Sequence, residues 1–167
     1  MRLTQWTDYT LRVLMYCAAC RSRPQPVTIS EIADTHGISR SHLTKIVQEL
    51  AAKGMLETTR GRGGGIRLLM PAEQINLGEV VRATETDFAE TDFALVECFD
   101  PEHNRCLMIN RCDLQDVLER AIKSFLAVLD AVTLADLVPA PRATVALPMP
   151  RRMTRVPGMP PVRARSK

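Results

Sequence analysis

Three cysteines, Cys98, Cys106 and Cys112, lie in one short stretch of this 167-residue chain. Thiolates are soft ligands, and three of them so close together are typical of a metal or iron–sulfur site. Structural zinc usually needs four ligands paired as C-x2-C, and the stretch has neither that pairing nor a fourth cysteine. The spacing therefore favours an iron–sulfur cluster whose remaining ligand is not a thiolate. The alternative is that the three thiols are partly buried apolar side chains.

Two other groups of possible ligands carry less weight. His103 lies inside the cysteine stretch, but a histidine in a loop is more often exposed to solvent than bound to a metal. Cys17 and Cys20 form a C-x2-C pair, but they fall within a predicted helix and no second pair lies nearby. Packing of that helix is the better interpretation of both side chains.

The first 70 residues contain three predicted helices. Apolar residues recur at helical spacing over 6–21, which predicts the first helix. Ser30 is a candidate N-cap for the second helix, EIADTH, which Gly37 ends. Ser39 is a candidate N-cap for the third helix, RSHLTKIVQELAAK, and Gly54 lies just past its end.

A Gly-rich hairpin is predicted after these helices, with strands over 55–59 and 66–69 around the loop GRGGG. Helices followed by a hairpin in this order predict a winged helix-turn-helix, whose third helix enters the DNA major groove. The outward residues of that helix predict the contacts: Arg40, Ser41 and His42 to bases, Thr44 and Lys45 to phosphate. Arg60 and Arg62 on the wing are predicted to enter a flanking minor groove.

Charge is distributed unevenly along the chain. Residues 1–70 carry 10 Lys and Arg against 5 Asp and Glu, whereas residues 71–140 carry 5 against 14. The basic first part suits a polyanion, and this argues against the alternative that its helices form only a solvated hairpin. Residues 139–167 are rich in Pro and Arg and contain no acidic residue, so they are predicted to form a flexible tail.

A long helix is predicted over 114–134, with Asp113 as its N-cap. Its apolar residues form a seam wider than one small domain would cover, and their near-heptad spacing predicts packing against a second copy of the chain. The predicted fold is thus mainly α. It has a winged helix-turn-helix domain over 1–70, a cluster-binding loop and dimerisation helix over 71–138, and the tail over 139–167.

Several classes of protein are disfavoured by what the sequence lacks. No apolar run is long enough to span a membrane, and the N-terminus lacks the apolar core of a signal peptide. The sequence therefore predicts a cytoplasmic protein whose cysteines are thiols. No nucleotide-binding fingerprint, Ser/His/Asp set or recognisable pair of catalytic carboxylates is visible, which predicts that the protein is not an enzyme. A cluster used for electron transfer or catalysis is the alternative from another class.

Three segments resemble the NsrR-type repressors, which are nitric-oxide-sensing members of the winged-helix iron–sulfur regulators related to IscR. They are TDYTLRVLMY, HLTKIVQELAAKGMLETTRGRGGGIRL and RCDLQDVLERAIKSFLAVLDAVTLADL, and the resemblance spans about residues 1–138. It implies a homodimer with one iron–sulfur cluster per subunit, [4Fe–4S] in preference to [2Fe–2S]. Cys98, Cys106 and Cys112 match the family's ligand cysteines. Asp8 matches a carboxylate that completes the cluster of the neighbouring subunit.

The resemblance also implies a function. In regulators of this type the cluster-bearing dimer binds operator DNA and represses transcription, and nitrosylation of the cluster releases the DNA. The nearest alternative is a transcriptional regulator of the same fold that senses iron–sulfur supply or redox state, because the ligand cysteines do not separate the two.

Overall fold

The structure is a computed structural model that describes residues 2–85, 95–100, 103–108 and 111–138. The predicted tail over 139–167 lies outside these residues, as does most of the acidic segment before the cysteines. Three helices form the N-terminal part: α1 over Gln5–Ala19, α2 over Ile29–His36 and α3 over Arg40–Ala52. All three predicted helices are therefore confirmed.

Each of these helices begins at a hydroxyl side chain that accepts a first-turn N–H: Thr4, Thr28 and Ser39. The predicted cap of α2 is wrong, because Thr28 rather than Ser30 accepts the N–H of Glu31. Ser30 lies one residue inside the helix. Gly37 ends α2 as predicted, in the left-handed conformation with a φ of 66°.

An antiparallel hairpin follows α3, with β1 over Leu56–Thr59 and β2 over Gly65–Leu68. An isolated bridge between Val27 and Ile66 adds the segment before α2 to the edge of this hairpin. The turn between the strands requires positive φ at Gly61 and Gly63, which explains its glycine content. The winged helix-turn-helix predicted from the sequence is confirmed.

The hydrophobic core lies between α1 and α3, where aliphatic side chains such as Val13, Leu14, Leu43 and Ile46 are almost completely buried. The same core continues past the hairpin, since it also includes residues that follow the wing: Ala72, Ile75, Val80 and Leu134. The predicted boundary at residue 70 therefore lies within a continuous core, and the division into domains stays a prediction.

Three further α-helices follow among the described residues: α4 over Leu77–Thr84, α5 over Leu114–Asp130 and α6 over Leu134–Leu137. Helix α5 begins where predicted, but Asp113 holds its N-cap position without a side-chain cap hydrogen bond. It ends at Asp130 rather than near residue 134, because the next residues pair with the segment before α4. The N–H of Leu77 donates to the carbonyl of Val132, and the N–H of Leu134 donates to the carbonyl of Ile75.

An ion pair joins α4 to the C-terminal end of α5. Arg82 donates two hydrogen bonds to the Asp130 carboxylate, at 2.6 and 2.7 Å, and they lower the pKa of Asp130 below its ordinary value. Gly78 is buried against this pair. No residue of α5 is itself buried in the single chain. None of the described helices is long and apolar enough to cross a membrane.

Candidate metal centre and nucleic-acid interface

The three clustered cysteines line one cavity at the start of α5. This cavity has a volume of about 140 Å³ and is lined by Cys98, Cys106 and Cys112 together with Val96, Glu97, Leu114 and Gln115. Cys98 and Cys106 are half-buried, and Cys112 is exposed. Within the described residues the thiols do not converge on a point where three ligands could hold a single ion. They share a cavity with partly apolar walls, which is the setting in which thiolates hold an iron–sulfur group.

Short-range contacts hold the cysteine-bearing segments together. Cys98 lies in a short 3-10 helix, Glu97–Phe99, and Phe99 anchors that helix because its ring is buried. The carboxylate of Glu97 accepts the N–H of Arg105 at 2.7 Å, which ties the Cys98 segment to the Cys106 segment. The side-chain oxygen of Asn104 accepts the N–H of Cys106 at 2.8 Å.

His103 does not line the cavity. Its side chain is 79% exposed, and its Nδ1 lies 2.8 Å from the Asp100 carboxylate. Cys17 and Cys20 are also placed elsewhere, buried in the core of the winged domain. Burial raises the pKa of Cys17 to about 12, so this thiol stays protonated and is a poor ligand. The predicted packing role of this cysteine pair is confirmed.

Asp8 lies in the first turn of α1, half-exposed, and it does not line the cysteine cavity of its own chain. Arg12, one turn later, donates from Nε to both Asp8 oxygens at 3.0 Å. These hydrogen bonds and the charge of Asp8 raise the pKa of Arg12. His36 of α2 lies near this pair: burial lowers its pKa, and Arg12 lowers it further while Asp8 opposes that effect. The carboxylate therefore lies at the junction of α1 with the helix-turn-helix.

A buried carboxylate fixes the turn that carries Asp8. Glu85, at the end of α4, is only 5% exposed, and it accepts the N–H of Thr4 at 2.6 Å and the Thr4 hydroxyl at 3.0 Å. A negative charge at a helix N-terminus is favourable because the first N–H groups lack partners within the helix. No local pattern in the sequence marks Glu85, because its partner Thr4 lies 81 residues earlier in the chain.

The predicted reading residues lie along the outer face of α3. Arg40, Ser41, His42, Thr44 and Lys45 are all exposed, whereas Leu43 and Ile46 on the other side of the helix are buried. Arg40 is 3.9 Å from Asp34 in an exposed ion pair, which costs little to break. The hydroxyl of Thr44 donates to the Arg40 carbonyl at 2.8 Å, so it must rotate before it can donate to a phosphate.

Gln48 is exposed on the same face, one turn after Thr44 and Lys45. Sequence reasoning passed over it, although the i, i+3, i+4 spacing that placed Thr44 and Lys45 outward also places Gln48 there. Its amide can both donate to and accept from a base edge. The outward face of α3 is therefore longer than predicted.

The arginines of the hairpin divide into two groups. Arg60 and Arg62 are exposed at the wing tip, and neither forms an ion pair within the described residues. Arg67, on β2, instead donates hydrogen bonds to the carbonyls of Arg23 and Pro24, and so holds the wing against the loop before α2. The two tip arginines are thus the ones available to a nucleic acid.

A winged helix-turn-helix with an exposed, partly basic third helix, followed by a cavity lined with three thiols, defines a DNA-binding regulator with a candidate metal centre. The chain belongs to the Rrf2 family of iron-dependent transcriptional regulators, whose family model matches residues 3–140. The family's regulators act on operator DNA, and the prediction that the protein is not an enzyme is confirmed by this membership.

Similar proteins agree with this assignment. The HTH-type transcriptional regulator NsrR of Bacillus subtilis is 51% identical over 139 residues, which cover 83% of this chain and 90% of that protein. NsrR of Bacillus licheniformis is 48% identical over 138 residues, covering 83% and 92%. The resemblance seen in the sequence motifs is confirmed.

Solved structures share the fold. The oxidised form of Staphylococcus aureus CymR superposes with a TM-score of 0.64 at 24% identity, covering 84% of this chain and 98% of that one. The T. potens IscR structure gives a TM-score of 0.62 at 24% identity, with coverages of 82% and 85%. At 24% identity this likeness establishes the fold alone.

Proposed function

We propose that this protein is a nitric-oxide-responsive transcriptional repressor. An iron–sulfur-loaded homodimer binds operator DNA, and nitrosylation of the cluster releases it. Cys98, Cys106 and Cys112 hold one cluster per subunit, [4Fe–4S] in preference to [2Fe–2S], and Asp8 of the neighbouring subunit supplies the remaining ligand. The bound cluster supplies iron that nitric oxide attacks, and the protein supplies the ligands whose positions depend on that iron.

The observation that carries this proposal is the shared cavity of the three cysteines. A single zinc ion needs its ligands to converge on one point. The three thiols here line one cavity, and no fourth cysteine lies in their stretch of the sequence, which suits an iron–sulfur cluster whose remaining ligand is not a thiolate. The name NsrR, borne by relatives 48–51% identical to this chain, supports nitric oxide as the signal.

The position of Asp8 supports a ligand from the neighbouring subunit. Asp8 is half-exposed and lies away from the cysteine cavity of its own chain. Among the described residues its side chain pairs with Arg12, in an exposed i, i+4 pair that contributes little stability. The carboxylate is therefore available to a group presented by a second chain, and its removal from Arg12 costs little.

The DNA contacts proposed are those of the exposed face of α3 and of the wing tip: Arg40, Ser41, His42, Thr44, Lys45, Arg60 and Arg62. Two copies of α3 in a dimer would meet half-sites about one helical turn apart. A change in the spacing of the two copies would then weaken binding without any change in the reading residues themselves.

The test is an anaerobic titration with nitric oxide. Purified, cluster-loaded protein is followed by its visible absorption, and its binding to a duplex selected from a random library is measured in the same samples. We expect cluster absorption and sequence-specific binding to be lost together. Cys106→Ser should abolish the absorption, whereas Cys17→Ala, which also removes one thiol but outside the cavity, should retain it. Asp8→Ala should retain DNA binding but change the spectrum or the nitric oxide response.

Two results would contradict the proposal. A protein that stays colourless after reconstitution, and binds DNA equally with and without iron and sulfide, would mean that the cysteines have another role. A loaded protein whose DNA binding responds to oxidation or iron removal but not to nitric oxide would establish the redox or iron–sulfur-status regulator instead. If Asp8→Ala matches the native protein in both spectrum and titration, Asp8 is not a ligand.

A further inference from the structure

Helix α1 contacts both helices of the helix-turn-helix through tyrosine–histidine pairs. The ring of Tyr9 lies 6.3 Å from the ring of His42 in α3, at an interplanar angle of 49°. The ring of Tyr16 lies 5.6 Å from the ring of His36 in α2, edge-on at 79°. Both distances are within the range of aromatic ring contacts. Because seven residues are about two turns, the two tyrosines share one face of α1.

The two contacts differ in whether their histidine lies on the outer, DNA-reading face of α3. His36 is half-buried on α2, away from the reading face, and its Nε2 is buried without a hydrogen-bond partner in the described structure. His42 is exposed in the first turns of α3, among the residues proposed to contact bases. Tyr9 therefore contacts the reading surface directly, whereas Tyr16 supports the helix behind it.

Tyr9 is also the residue next to Asp8 in the chain. Both belong to the first turn and a half of α1, whose start is held by Glu85 through the two hydrogen bonds to Thr4. The Tyr9 hydroxyl accepts a hydrogen bond from Gln5 Nε2 at 2.8 Å, and its ring packs against the core. A helical turn is stiff, so a displacement of the Asp8 backbone moves the Tyr9 ring with it.

We propose that Tyr9 is the positioning residue that couples Asp8 to the recognition helix, through its ring contact with His42. This inference rests on the proposed function, because it assumes that the state of the cluster changes the position of Asp8. When Asp8 is held by the cluster of the neighbouring subunit, Tyr9 holds His42 in the orientation that reads the operator. When Asp8 is no longer bound to the cluster, the first turn of α1 shifts, and the ring contact between Tyr9 and His42 is lost.

The measurement is the ratio of DNA affinities of the cluster-loaded and cluster-free protein, with the duplex selected by the loaded native protein as the probe. Coupling between two sites in proteins typically changes affinity about 5- to 150-fold. In Tyr9→Leu, which keeps an apolar side chain of high helix propensity but removes the ring, we expect the ratio to fall at least about fivefold. The visible absorption per monomer should stay as in the native protein.

Two further variants separate coupling from general damage. Tyr9→Phe keeps the ring and should keep most of the ratio. Tyr16→Leu removes the matching ring contact on α2. It should lower Tm about as much as Tyr9→Leu does, but leave the ratio of DNA affinities unchanged. The inference is overturned if Tyr9→Leu keeps the native ratio, or if Tyr16→Leu lowers the ratio as much.

The native protein, measured alongside, separates failure of this inference from failure of the proposed function. If native loaded and cluster-free forms bind the duplex equally, the proposed function fails and the coupling role of Tyr9 fails with it. If they differ and Tyr9→Leu preserves the difference, only the coupling role is wrong. If Tyr9→Leu does not fold, loss of the ratio in Tyr9→Phe would also overturn the inference, since that variant retains the ring.

Discussion

At the scale of single residues, burial separates the five cysteines into two chemical groups. Cys17 and Cys20 lie in the core, and burial raises the pKa of Cys17 from its ordinary value of 9.0 to about 12. Cys98, Cys106 and Cys112 line a cavity that is open enough to leave Cys112 exposed. Since the thiolate is the ligand and the nucleophile, the two groups should differ in reactivity as well as in ligation.

Alkylation of the folded, cluster-free protein should show this difference. With iodoacetamide near neutral pH, we expect Cys112 to be labelled first and Cys17 last, by at least about tenfold in rate, because a buried thiol of raised pKa supplies almost no thiolate. Mass spectrometry of the digested protein gives the order. Equal labelling of Cys17 and Cys112 in protein shown to be folded would contradict the structure.

The same shift predicts a pH dependence of stability. The pKa of Cys17 is higher in the folded chain than in the unfolded chain. The contribution of this thiol to the free energy of unfolding is therefore fully present below about pH 9 and decreases as the pH rises toward 12. The Tm of Cys17→Ala should therefore fall less steeply above pH 9 than that of the native protein. The contributions of the other titrating groups to the pH dependence of Tm are the same in both proteins, so they cancel in the comparison.

At the scale of secondary-structure elements, the joint between α4 and α5 determines how the long helix is attached to the DNA-binding part. Arg82 and Asp130 form the ion pair, and Asn76 donates a further hydrogen bond to the Asp130 carbonyl at 2.7 Å. Gly78 permits the close approach, since a Cβ there would lie 1.9 Å from the Asp130 carboxylate. A glycine inside a short helix is thus explained by packing.

Gly78→Ala tests this explanation, because the sign of its effect on Tm should depend on whether the Asp130 side chain is present. Alanine is favoured over glycine within a helix by about 1 kcal/mol, so the substitution would stabilise α4 if nothing opposed it. We expect it to lower Tm in the native background, because the Cβ displaces Asp130 from Arg82, and to raise Tm in the Asp130→Ala background. Thermal unfolding of the four proteins measures both effects. A rise in Tm in both backgrounds would mean that the joint tolerates the methyl group.

At the scale of the whole molecule, α5 is a helix whose apolar side chains are not buried by the described part of the single chain. None of its residues is buried, and the side chains of Leu114, Val117 and Val128 are 48%, 53% and 67% exposed. Apolar side chains in such a row are typical of a helix that packs against a partner. The homodimer predicted from the sequence stays a prediction, supported by this exposed row.

Val128→Asp tests the dimer. Burial of a valine contributes about 1.5–3 kcal/mol, and a symmetric interface contains it twice, so we expect the dissociation constant of the dimer to rise by at least about 100-fold. Sedimentation velocity gives the value. Ala127→Asp places the same charge on the polar side of α5 and should leave the dimer intact. If both variants, folded as judged by circular dichroism, remain dimers, the interface lies elsewhere.

Local patterns in the sequence were enough to predict the winged helix-turn-helix, the start of α5 and the candidate ligands. Helical periodicity, a helix-ending glycine at Gly37 and the Gly-rich turn of the wing each depend on residues close together in the chain, so they can be recognised without the fold. The predicted end of α5 was wrong because Val132 and Leu134 pair with the segment before α4, a contact between residues far apart in the chain.

Only the tertiary structure could decide which side chains meet across the fold. It places the three cysteines at one cavity, brings Glu85 to the start of α1, and sets Tyr9 against His42. These contacts depend on how helices pack, and packing follows from the shape of the whole core rather than from the spacing of any one segment. The sequence by itself thus determined the elements and their chemistry, whereas the fold decided how the candidate metal centre and the DNA-reading helix are connected.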